Sequence, residues 1–289
     1  MNYTKSIPFL FDNYLSLADE RNDNQSSRLN NFNNFLLFHV TFRSWMMYLD
    51  NQGRYSIIDF FCPLILTFLF TVFKKNGHKC TILAFLVYLI KFSSVFPTSP
   101  NHYYVELYFL FLFSIFNFRN SKNETNYLTN SLKLLFVIIL FYTGIKKLLY
   151  GQYFRGEYLA YLISCDERFS SVFSYILSKK EMLSIKSGNY ITGNYYFYLI
   201  SNSIYLFEII APIILFFKKD HNYIKEMLII FFITLFLISR EFTFAAIFLQ
   251  PFYLFFNTEL EKVFNRVFML IYILMLLPFI SIIPMWTFN

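Results

Sequence analysis

Hydrophobic residues fall along this chain in long runs separated by short polar breaks, without the alternation of a half-buried strand. Runs near 32–50, 56–73, 80–97, 101–118, 131–150, 195–217, 224–239, 241–256 and 265–286 approach the roughly 17–25 residues that a helix needs to cross a bilayer. The pattern predicts an all-α, polytopic transmembrane bundle of eight or nine spans. The count turns on "LFLISREFTFAAIFLQPFYLFF", where Arg240 and Glu241 separate two short apolar segments in either a tight outer turn or a broken helix. Residues 1–30, ending in "DERNDNQSSRLN", are polar and lack the h-region and cleavage site of a signal peptide. They are expected to form a cytoplasmic tail ahead of a membrane domain over 31–289.

Composition narrows the class further: 56% of the residues are hydrophobic, 15% are charged, and the mean hydropathy is +0.45. A lipid bilayer is the expected environment. The formal charge of +7 does not point to nucleic acid, because the lysines sit in short loops between apolar runs, where retention on the cytoplasmic side explains them. "FKKNGHK" (73–79), "FRNSK" (118–122), "KKDHNYIK" (218–225) and "EKVFNR" (261–266) fall on one side if the N-terminus is inside, and the connections at 51–55 and 97–101 fall on the other. A bacterial cytoplasmic membrane with the N-terminus inside is the expected location. A longer outer segment, 151–194, breaks the charge rule with Arg155, Arg168, Lys179, Lys180 and Lys186, but long loops obey it poorly. The three cysteines, Cys62, Cys80 and Cys165, show no metal-ligand spacing, so no metal site is expected, and Cys62 reads as a small buried hydrophobe.

Candidate chemistry lies where ionisable residues enter apolar runs. In "FYTGIKKLLYGQYFRGEYL" (141–159), Lys146 and Lys147 point about 100° apart on a helix, so they cannot face one neighbour. Lys147 shares its face with Thr143 and Gly144, small residues that permit close approach, whereas Lys146 lies over Tyr142 and Tyr150. Either both are interfacial anchors, or Lys147 turns inward and acts as a base. His102 stands at the start of a run, and Glu106, one turn on, can share a proton with it or orient it. His39 and Arg43 share a face at i and i+4, deep in the first run, and Glu208 in "YLFEIIAPIILFF" is the expected charge partner of Arg43.

These segments resemble the HTTM family, the membrane domain shared with vitamin K-dependent gamma-carboxylases. "FYTGIKKLLYGQYFRGEYL" is similar to the family's Tyr-x-x-Gly segment with its lysine pair, "NHYYVELYFLFLFSIF" (101–116) to its Asn-His-Tyr span, "HVTFRSWMMYLDN" to its first-helix Phe-Arg pattern, and "YLFEIIAPIILFF" (205–217) to its Glu-x-x-x-Pro span. The resemblance implies Lys147 as the base that deprotonates a vitamin K-like hydroquinone or another quinone, and His102 as its active-site companion. Lys146, Glu106, Arg43, Glu208 and Glu241 then support the site. Two departures bear on the implication: no counterpart of the carboxylases' large lumenal domain is expected after the last run, and "SREFTF" (239–244) replaces the family's Phe-His start to a late span. The sporulation-delaying protein B group shares the length, the polar start and the "FRS" motif, but it generally lacks the double lysine. Two functions are therefore expected: a quinone-linked, carboxylase-like membrane enzyme acting on a quinol or an exported peptide, or a non-catalytic membrane factor for maturation, export or immunity of a secreted peptide.

Overall fold

The structure is a computed structural model that describes residues 22–50, 57–96, 101–151, 154–165, 167–190, 193–217, 222–239, 242–254, 266, 270 and 272–273. Every regular element among the described residues is helical. In chain order these are α1 (Asn22–Asp50), α2 (Ile57–Val95), α3 (Asn101–Ile115), α4 (Lys122–Tyr150), α5 (Glu157–Cys165), α6 (Glu167–Phe173), α7 (Lys179–Lys186), α8 (Tyr195–Phe217), α9 (Asn222–Ser239), α10 (Phe242–Leu249) and a 3-10 turn at Gln250–Leu254. The chain divides into two compact units, Met1–Lys133 with Ala246–Leu276, and Leu134–Ala245 with Leu277–Asn289.

In the first unit, α1 is buried on almost every side, with Leu29, Phe32, Leu36, His39 and Val40 wholly enclosed. It therefore sits at the centre, packed by α2, α3 and the 3-10 turn. α1 already begins at Asn22, inside the stretch expected to be a tail. α2 is two arms joined at Gly77, whose φ of 36° and ψ of −103° take it out of the helical region. Tyr48 against Phe60, Trp45 against Thr67 and Phe38 against Phe70 make the first arm antiparallel to α1. Asn33 against Thr81 and Ser44 against Lys91 make the second arm parallel to it. The chain thus reverses at Gly77 without a loop, and the guanidinium of Arg119 lies against this glycine while Nη2 donates to Asn30 Oδ1 at 2.5 Å. α3 returns antiparallel, with Tyr103 beside Met47 and Phe109 and Phe113 edge-on to Phe32.

In the second unit, α5, α6 and α7 close a small apolar core of Leu159, Ala160, Ile163, Phe173, Leu177 and Ile185 over Phe197 of α8. Gly156 allows the approach, since a Cβ there would lie 2.7 Å from Phe197 Cε1. α7 starts with a reciprocal cap: Glu181 N donates to Ser178 Oγ at 3.3 Å, and Ser178 N and Oγ each donate to Glu181 Oε2 at 2.7 Å. These two donors hold the Glu181 carboxyl below the ordinary carboxylate range.

Among the described residues, one helix, Tyr195–Phe217, is long and apolar enough to cross a membrane; Ile57–Val72 and Tyr103–Ile115 are shorter apolar helices. Two of the nine expected spans, 56–73 and 80–97, are the arms of α2, and the run at 241–256 is divided between the eight residues of α10 and the 3-10 turn. Arg240, Glu241 and most of 265–286 lie outside the described residues. Large apolar side chains reach the surface while several ionisable ones are enclosed. Ile57, Phe68, Leu86, Ile90, Ile138, Ile210 and Phe217 are exposed, whereas His39, Arg43, Lys91, Glu106, Glu208 and Lys225 are buried.

Candidate functional site: two buried ionic clusters

The second unit holds the Lys147–Glu208 pair. Helical geometry separates the two lysines of α4 as the sequence suggests: Lys146 is exposed and sits 5.8 Å from the centre of the Tyr150 ring, while Lys147 turns inward. Lys147 Nζ donates to Glu208 Oε1 at 2.7 Å, with side-chain exposures of 21% and 6%. Gly144, one turn before Lys147, makes this possible, because a Cβ there would lie 3.0 Å from the backbone carbon of Glu208 and 2.7 Å from Ile209 Cγ1. The Glu-x-x-x-Pro spacing acts on the same spot. Pro212 has no N–H to return to the Glu208 carbonyl four residues earlier, and its ring crowds that carbonyl, which loosens α8 where α4 comes closest. Glu208 Oε2 is buried without a hydrogen-bond partner among the described residues. The arrangement is a carboxylate with one oxygen held by an ammonium and the other open to accept a proton.

The first unit holds a larger cluster centred on Glu106, which is fully buried on α3. His39 Nε2 lies 2.9 Å from Glu106 Oε1, and Arg43 Nη1 donates to the same oxygen. Tyr88 OH donates to Oε2. The stripe of α1 that carries His39 and Arg43 continues to Ser44, and the second arm of α2 supplies Thr81, Ala84, Tyr88 and Lys91 at three- and four-residue spacing. The Arg43 guanidinium lies 3.7 Å from the centre of the Tyr103 ring, so the cation is covered by an aromatic face as well as neutralised by a carboxylate. On the far side of His39, Nδ1 is 2.8 Å from Tyr272 OH. Lys91 is fully buried with Nζ 3.5 Å from the Ser44 carbonyl, and the Ser44 side chain stands beside the Cys62 thiol.

Several expectations change. Arg43 pairs with Glu106, not Glu208: the i, i+4 stripe of α1 faces α3, and Glu208 is taken by Lys147. Glu106 meets His39, Arg43 and Tyr88, which the sequence did not lead us to expect, while its expected pairing with His102 lies outside the described residues. His102 opens α3, but its side chain lies outside the described residues, and Lys147 and His102 fall in different compact units. Glu241 also lies outside the described residues. Sequence reasoning missed Tyr88, Lys91, Tyr103 and Tyr272. The signal for Lys91 was present, since "LVYLIKF" places a lysine inside an apolar run. Comparison with protein-family models, with curated proteins and with solved structures finds no match to this chain.

Proposed function

We propose that this chain is a multi-pass helical membrane protein of the HTTM kind whose Lys147–Glu208 pair handles a proton on a quinol or an exported peptide. The observation that carries the reading is the meeting of Gly144, Lys147 and Glu208, because the glycine–lysine segment and the Glu-x-x-x-Pro segment are singled out separately by resemblance and converge at 2.7 Å. Exposed apolar side chains on the helices support the membrane setting, as do the ionisable residues of the apolar runs, His39, Arg43, Lys91, Glu106 and Glu208, which are enclosed as lipid requires. The gathering of Asn30, Gly77 and Arg119 at one end of the first unit supports an N-terminus-inside arrangement, since it brings the basic segments 73–79 and 118–122 to the end where α1 starts.

In this reading a hydroquinone O–H gives its proton to the pair. Either Glu208 Oε2 takes it directly, or Lys147 first passes a proton to Glu208 and then acts as the base. The positive charge left beside the substrate stabilises the oxyanion that forms. A quinone or vitamin K-like hydroquinone is the implied cofactor, and no metal is needed. The test is quinone content, measured by mass spectrometry on protein purified from native membranes in mild detergent. Bound quinone is expected in the wild type, with a loss of about tenfold or more in Lys147→Ala and Glu208→Gln. A wild type without quinone, or undiminished occupancy in both variants, overturns the reading.

The exposed Tyr161, Tyr175 and Leu183 favour a second reading, in which the 151–194 segment receives a secreted peptide and no chemistry occurs. Under it, Lys147→Ala keeps function and changes to the segment abolish it.

A further inference from the structure

We infer that Glu106, His39 and Tyr272 form a proton-relay triad that makes the Tyr272 hydroxyl a reactive group for an apolar, ring-bearing ligand. The inference is independent of the Lys147–Glu208 reading, because all three residues belong to the first unit. Its basis is the direction of the hydrogen bonds. The Glu106 carboxylate receives Arg43 Nη1 on Oε1 and Tyr88 OH on Oε2, so it is an acceptor on both oxygens. His39 Nε2, 2.9 Å from Oε1, must then carry the imidazole proton. In the neutral imidazole that leaves Nδ1 as the basic nitrogen, 2.8 Å from Tyr272 OH, and the phenol donates to it.

A carboxylate that fixes the tautomer of a histidine, which in turn accepts from a hydroxyl, is the general arrangement that activates an oxygen nucleophile. His39 and Glu106 are fully enclosed and Tyr272 is 3% exposed, so the charges produced by the transfer are shielded from water. The step balances simply. The Tyr272 proton moves to His39 Nδ1, leaving a phenolate and an imidazolium whose second N–H still points at Glu106. Arg43 and Tyr88 keep the carboxylate in place throughout.

The surroundings of the phenol indicate the ligand class. Phe38 and Phe42 stand edge-on to the Tyr272 ring at 4.8 and 5.5 Å, and Phe70 extends the wall from Phe38 at 5.8 Å. The His39 ring stands beside the same phenol, with centroids 6.0 Å apart. A flat apolar molecule with an acidic hydroxyl, or with an electrophilic centre that the phenolate can attack, matches this wall; a hydrophilic anion does not.

The experiment uses a membrane-permeant aryl sulfonyl fluoride on the full-length protein in detergent. The phenolate oxygen forms an S–O bond as the S–F bond breaks, and fluoride leaves with the proton held by His39. Labelling rates are read residue by residue by mass spectrometry, with Tyr175, at 93% exposure, as the internal reference. Tyr272 is expected to react about tenfold or more faster than Tyr175, a low figure for general-base assistance of roughly 10²–10⁴-fold. His39→Gln, which can still donate to Glu106 but cannot accept the proton, is expected to slow Tyr272 by the same factor and to leave Tyr175 unchanged. If Tyr272 in the wild type labels no faster than Tyr175, the triad is overturned, whether or not the variant folds. Equal Tyr272 rates in wild type and in folded His39→Gln overturn it as well.

Discussion

Gly144→Ala puts two opposing effects on one atom. In an exposed helix the change would stabilise α4 by about 1 kcal/mol, because alanine is the better helix former. At this position the added Cβ would stand 3.0 Å from the Glu208 backbone carbon and from the Ile209 nitrogen, and 2.7 Å from Ile209 Cγ1. Carbon contacts are comfortable at about 3.5–4.0 Å, so α8 must retreat by roughly 0.5–1 Å. The Ile209 side chain can rotate away, but the backbone of α8 cannot, which puts the overpacking cost in the upper part of the usual range, about 2–3 kcal/mol. The net expectation is a loss of about 1–2 kcal/mol, seen as a fall in Tm of roughly 2–6 °C in a thermal unfolding assay in detergent. The same retreat lengthens the Lys147–Glu208 contact, so bound-ligand occupancy should fall together with Tm. Gly193→Ala, where a Cβ would meet nothing within 4 Å, is the control and should leave Tm unchanged. A Gly144→Ala protein as stable as the wild type, or more so, refutes the close approach of α4 to α8.

Lys147→Ala is expected to destabilise by about 3 kcal/mol, because it leaves the enclosed Glu208 carboxylate without its cation, and Glu208→Gln added to it should restore part of the loss; additive effects in this double-mutant cycle would rule out direct coupling. Ser178→Ala should cost α7 about 1 kcal/mol of local stability and raise hydrogen exchange at Glu181 and Met182, with exchange elsewhere unchanged. The Glu181 carboxyl is held below the ordinary range, so its share of the cap is complete above the ordinary carboxylate value and disappears as pH falls through the lowered one. Protection at α7 that stays flat down to strongly acid pH would contradict this.

The helices were readable because apolar runs and basic breaks are strong signals, and the 100° step between neighbours separated Lys146 from Lys147 but left an inward Lys147 as one of two readings, which its contact with Glu208 decides. Partner choice was not readable. Arg43 had two carboxylates available in apolar runs, Glu106 and Glu208, and only the packing of α1 against α3 selects the first. The reversal at Gly77 was hidden for a related reason. The sequence shows a basic break, and such a break is equally compatible with an exposed loop or with a single positive-φ residue braced by a distant arginine. Tyr272 could not be picked from 23 tyrosines, since its importance comes wholly from standing 2.8 Å from a histidine 233 positions away.

The hydrogen bonds on either side of the Gly77 turn have a bearing on assembly. Trp45 meets Thr67 at 2.9 Å, and Asn33 meets Thr81 at 3.0 Å with Lys91 Nζ 3.5 Å from the Ser44 carbonyl, so each arm of α2 is pinned to α1 at isolated polar points. Where the surroundings are as apolar as the helices, aliphatic contacts barely distinguish one helix alignment from the next. A slide of either arm by one turn, about 5.4 Å, would keep most of its greasy contacts but break its polar pins, and in the second arm it would also misalign Tyr88 with Glu106. These few matched donors and acceptors therefore act as a ratchet that rejects misaligned helices during folding, and changes to Asn33 or Thr67 should produce mispaired protein more readily than loosely packed protein.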